Sequence, residues 1–129
     1  MTFLFLVGRV ILGAYFVYSS YGHLAHADAS AGYAASKGVP MPKASVIVSG
    51  LMLLFGGLSI LTGVLVPVGV LVLIVFLLAT LVKMHTFWNV ADPMQKMGEQ
   101  INFTKNLALI GALLMILAIP APWIYSLVF

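Results

Sequence analysis

From Ala44 to Val82, between Lys43 and Lys83, no side chain carries a charge. As one helix rising about 1.5 Å per residue, this stretch would be nearly twice as long as the ~30 Å hydrocarbon core of a bilayer, so it must reverse direction. The reversal falls at Leu61-Thr62-Gly63-Val64-Leu65-Val66-Pro67. Glycine accepts the left-handed conformation that closes a helix, and proline suits the first turn of the next. Two further apolar stretches flank this pair. Val10 to Ala27 is charge-free and follows Phe3-Leu4-Phe5-Leu6-Val7, with Arg9 as the one charged interruption, and Asn106 to Phe129 is charge-free as well. The pattern predicts four membrane-spanning helices, at 3–23, 46–63, 67–85 and 104–120.

An even number of spans puts both termini and the tight reversal at one end and two long connections, 24–45 and 86–103, at the other. The first connection holds a helix-compatible run of small residues from Ala25 to Lys37, then Gly38-Val39-Pro40-Met41-Pro42, where each residue before a proline disfavours the helical region. A short interfacial helix followed by a rigid turn is expected. The second connection carries Asp92-Pro93 and Gly98-Glu99, which are turn and helix-start signals. Neither is long enough for another domain, so residues 1–129 are read as one all-α membrane bundle.

Composition supports this medium. Hydrophobic residues make up 63% of the chain and charged residues 7%, against ~25% charged in soluble domains. A barrel would alternate in polarity, and lipid leaves no unpaired backbone satisfied, so the unbroken apolar runs are helices. Although Ala27-Asp28-Ala29 resembles a signal-cleavage site, no basic residue lies in Met1 to Gly8, and an uncleaved first helix is expected. The absence of cysteine excludes dithiol exchange, c-type haem attachment and thiolate-held iron–sulfur clusters on this chain. A net charge of +3 does not point to nucleic acid as a partner. Lys37, Lys43, Lys83, Lys96 and Lys105 lie in or beside the long connections, which by the positive-inside rule face the cytoplasm, with the termini outside.

Helical spacing gathers small and polar residues on particular faces. Ser49, Gly56, Ser59 and Gly63 share one face of the second span and allow close approach of a neighbour. Arg9, Gly13, Phe16, Ser20 and His23 share a partly polar face of the first, expected to point into the bundle. An arginine at a helix centre costs about 2.5–3.5 kcal/mol to insert, and Asp28, Asp92 and Glu99 all lie outside the predicted spans, on the opposite side. Snorkelling to the nearby interface is the simpler expectation for Arg9; the other is an inward role on a polar ligand or on helix-end carbonyls.

His23 and His26, three apart, with His85 from another span, form a weak metal-site signature, since neither an HExxH motif nor a nearby second carboxylate accompanies them. More specific is the pairing of Met84-His85-Thr86-Phe87-Trp88 with Asn102-Phe103-Thr104-Lys105-Asn106. Asn102 and Asn106 share a face, and Lys105 sits near the predicted helix start, where the macrodipole disfavours a cation. The asparagines are expected to bond to His85, to loop backbone or to a ligand. An aromatic interface belt with a helix cap accounts for the same residues. So does a quinone site, in which His, Asn and Trp surround a ring whose carbonyls accept hydrogen bonds.

The order of motifs resembles the DoxX family of small membrane proteins. The resemblance runs through Gly8-Arg9-Val10-Ile11-Leu12-Gly13, Tyr21-Gly22-His23-Leu24, Gly38-Val39-Pro40 and Gly50-Leu51-Met52-Leu53-Leu54-Phe55-Gly56-Gly57. It continues through Met84 to Trp88 and ends, most strongly, at Asn102 to Gly111. Two departures stand out. Ser49-Gly50 replaces a glutamate frequent early in the second span, and Val64-Leu65-Val66-Pro67 lacks the basic residue that many members carry there.

The resemblance implies a four-helix bundle, in a bacterial inner membrane, tied in some members to quinone-linked sulfur oxidation or to membrane oxidoreductase complexes. The leading expectation is a quinone-interacting accessory subunit, with Arg9, His85, Trp88, Asn102 and Asn106 as contacts. Its expected partners are the bilayer and a membrane or redox protein, or further copies of itself. A scaffold or assembly factor without chemistry is the second reading. A small-solute transporter is the third, with neither broken helices nor an inverted repeat to favour it.

Overall fold

Gly63 (φ 76°) and Leu65 (φ 52°) turn the chain between α3 (Pro42–Thr62) and α4 (Val66–Lys83). Gly63 is the left-handed C-cap, its N–H donating to Ser59 O, and Pro67 sits in the first turn of α4. The computed structural model describes residues 2–83, 88 and 90–119, and these form five helices. The others are α1 (Thr2–Ala25), the short α2 (Ala27–Ser36) and α5 (Pro93–Leu117). Helices α1, α3, α4 and α5 are long and apolar enough to span a membrane; α2 is the expected short helix of the first connection.

Three predicted spans match within a few residues, whereas α5 begins at Pro93, not at 104. Asp92 is its N-cap and Pro93 its first residue. Met-Gln-Lys-Met-Gly-Glu-Gln is polar enough to look like a loop, yet apart from glycine it consists of good helix formers. Much of the expected second connection is therefore helix. This corrects two expectations: Glu99 belongs to a long helix, and Lys105 lies three turns into α5, away from the dipole at its start.

Packing runs in the order α1, α3, α4, α5, with α2 against α3. The α1–α3 contact brings backbone to backbone, since a Cβ added at Gly57 would lie 3.0 Å from Gly13 O and 3.0 Å from Val17 N. Gly56 accommodates Leu73 of α4, and Gly69 accommodates Ser59 of α3. The small-residue face of α3 thus serves the hairpin at Gly56 and Ser59, both buried, while Ser49 and Gly63 are half-buried. Phe16, Leu53, Ile60, Val70, Leu73 and Leu113 fill the centre. Leu4, Ile11, Leu51, Leu58, Val75 and Leu114 point outward, an apolar surface suited to lipid.

Among the described residues the ring of helices is not closed: no Cα of α1 comes within 8 Å of one in α5. Long side chains bridge the opening instead. Lys105 Nζ lies 5.9 Å from the centroid of the Tyr15 ring, and Tyr33 and Lys37, at α2 and its end, reach Glu99 on α5.

Candidate functional site

Because α1 and α5 stand apart, a cavity of about 460 Å³ remains inside the bundle toward the long-connection end. Its size falls in the range of ligand pockets, about 300–1,000 Å³. Phe16, Leu53, Phe76 and Leu77 supply apolar walls, and Tyr15, His23, Tyr33, Thr80, Lys105 and Asn106 supply the principal polar ones.

Asn106 Nδ2 donates to Thr80 Oγ1 at 3.3 Å, and Thr80 Oγ1 donates to Leu77 O at 2.9 Å. The hydroxyl thus fixes the amide of Asn106, which lines the cavity. His23 Nδ1–H donates to Ser19 O at 3.0 Å, a bond to a carbonyl that requires the proton on Nδ1 and leaves Nε2 for a ligand. Its ring meets Phe76 edge-on, centroids 5.8 Å apart.

At the rim, Tyr33 Oη donates a hydrogen bond to Glu99 Oε1. Glu99 is 8% exposed, and Lys37 Nζ pairs with its other oxygen at 3.5 Å while lying over the Tyr33 ring. Burial, then the hydrogen bond to Glu99 and its charge, push the Tyr33 phenol well above its ordinary value, so it stays a donor. The exposed Lys43–Asp28 pair, 3.1 Å apart, is solvated and contributes little.

The candidates from sequence divide. Asn106 lines the cavity. Asn102 is half-buried and does not line it. Trp88 is 56% exposed, with its ring edge-on to Phe103 at 5.7 Å. His85 lies outside the described residues, and with it the His23/His26/His85 combination. His23 and His26 themselves turn to different rings, Phe76 and Tyr21. Among the described residues no three metal-ligating side chains cluster. The asparagine partner is Thr80, which was not anticipated, and the residues missed were Tyr15, Tyr33, Thr80 and Lys105. Thr80 left a trace in the pattern as the one hydroxyl in α4, and Lys105 as the cation beside Asn106 in the motif singled out above.

Arg9 does not snorkel. It is 3% exposed and lies at the hairpin end, six residues or about 9 Å of helix axis from Tyr15. Its Nε donates to Ile60 O at 3.2 Å and Nη2 to Leu61 O at 3.1 Å, and its guanidinium lies over Phe5. These carbonyls belong to the last turn of α3, where the helix supplies no donors and the macrodipole favours a cation. The inward expectation with helix-end carbonyls is the correct one, and the cavity does not include Arg9.

The DoxX family model matches residues 4–86, which run from α1 through the end of α4. The chain belongs to the DoxX family. The match covers the α1, α3 and α4 walls of the cavity in this DoxX chain but stops short of α5, so Lys105 and Asn106 come from outside the matched segment. No curated protein and no solved structure matches the chain.

Proposed function

We propose that this DoxX protein is an accessory subunit of a membrane oxidoreductase system and binds a quinone ring in the cavity between its spans. The observation that carries this reading is a cavity with apolar and aromatic walls and a few polar groups, of which Asn106 and His23 are held by hydrogen bonds. The Asn106 amide and the Lys105 ammonium are donors for quinone carbonyls. His23 Nε2, with the proton on Nδ1, is an acceptor for a quinol hydroxyl. Phe76 and Phe16 are surfaces for the ring. Aromatic and apolar walls with a few placed polar groups are the usual makeup of such sites, and the family resemblance supplies the redox context.

In this reading the chain positions the ring and keeps water away; electrons come from a partner enzyme at the long-connection end, which faces the cytoplasm. Stabilisation of the purified protein by a chainless benzoquinone tests it. Binding to the native state raises the midpoint of unfolding with ligand concentration, and no rise at any concentration would remove the reading. A chain acting only as a scaffold would show no rise and would still co-purify with its partner.

A further inference from the structure

A second opening, a groove of about 540 Å³, lies between α3 and α4 at the same end of the bundle. Its walls are mainly apolar, with Val48 and Met52 from α3 and Val75 and Ala79 from α4. The groove adjoins the cavity, and His23, Val46, Phe76 and Thr80 line both. The His23–Phe76 ring pair therefore stands between a polar-lined chamber and an apolar groove.

We infer that the groove holds the hydrocarbon chain of the ligand whose ring occupies the cavity, so that one amphipathic molecule passes between α3 and α4 at the His23–Phe76 pair. The inference rests on the quinone reading and adds the direction in which the chain leaves. The other exit, between α1 and α5, is crossed by Lys105 against Tyr15 and by Tyr33 and Lys37 against Glu99. An apolar chain leaving there would have to displace charged contacts near lipid, whereas the α3–α4 groove offers it methyl and thioether surface. Phe76 is only partly buried and lines both compartments. Lipid tails are as apolar as the groove, so the chain gains little free energy by leaving the bilayer. Its role is to orient the ring, and the test must read position.

The probe is a 1,4-benzoquinone carrying a decyl chain that ends in a diazirine, added to the full chain in nanodiscs of neutral phospholipid, irradiated and mapped by peptide mass spectrometry. The expected result is adducts on Val48, Met52, Val75 and Ala79 that disappear in excess chainless benzoquinone. Competed adducts on the outward faces of α1 and α5, at Ile11 or Leu107, would overturn the inference. So would groove adducts that the chainless compound leaves unchanged, because the groove would then be taking bulk lipid chains. If the chainless compound also fails to stabilise the protein, the quinone reading itself fails; if it stabilises while the adducts lie elsewhere, only the chain path is wrong.

Discussion

Arg9 on α1 donates through Nε to the carbonyl of Ile60, 3.2 Å away in the last turn of α3. With Nη2 on Leu61 O at 3.1 Å, one guanidinium caps two carbonyls that the helix leaves open. A charge that is costly in lipid is thereby matched to the negative end of a helix dipole, and α1 is fixed in register against the hairpin. The planar fork is needed, because an ammonium is a single point charge. Arg9→Lys should destabilise the bundle by about 1.5–3 kcal/mol, the size of a hydrogen bond to a charged group. Unfolding of the wild type and variant in mild detergent checks it. Equal stability would mean that the arginine only needs to be positive.

The α1–α3 seam depends on glycine at Gly57, where an added methyl meets the backbone of Gly13 and Val17 at 3.0 Å. Gly57→Ala should cost about 1–3 kcal/mol, as overpacking does. Gly111 in α5 meets nothing within 4 Å, so Gly111→Ala should be neutral or stabilise by about 0.4–1 kcal/mol through the unfolded chain. Thermal unfolding of the two variants side by side distinguishes a close-packed seam from a general intolerance of larger residues in these spans.

Thr80 and Asn106 should be energetically coupled, since the hydroxyl of one holds the amide of the other. A double-mutant cycle of Thr80→Val and Asn106→Leu is expected to give about 0.6–1.7 kcal/mol, from the average to the largest coupling found for polar pairs between membrane helices. Additive effects would mean that the amide is held by something other than Thr80.

The position of Tyr33 predicts an alkaline limit for the α2–α5 contact. Its folded-state phenol titrates above the ordinary value near 10. The stability it contributes is therefore complete below pH 10 and is lost as the pH rises through the raised folded-state value. The difference in unfolding midpoint between wild type and Tyr33→Phe should stay constant up to pH 10 and shrink only above it. A difference that declines from pH 7 upward would contradict the assignment.

The hairpin, the first three spans and the interfacial helix were legible in the sequence because hydrocarbon leaves few options: long apolar runs, one Gly-Pro reversal, and a stretch of small residues closed by Pro40 and Pro42. The start of α5 is signalled at Asp92-Pro93, but the pattern places the span from 104, because hydropathy reports where lipid begins, and Pro93 to Gln100 is helical without being apolar. For Arg9 both readings were visible, and distance along α1 favoured the interface; only the approach of α3, made close by Gly13 and Gly57, brings the open carbonyls within reach. Asn106 was found in the site because an amide in lipid needs a partner. Tyr33, Lys105 and Tyr15 were not, because what joins them is the separation of α1 from α5, a property of tertiary packing that no local pattern carries.

The most direct test of the central claim is the unfolding midpoint of the purified wild-type protein, titrated with chainless benzoquinone beside Asn106→Leu. The wild type should gain stability with ligand concentration, by about 2.7 kcal/mol at a hundredfold excess over Kd, and the variant should need distinctly more quinone for the same gain. A wild type indifferent to the quinone, or a variant that responds identically, would contradict the claim.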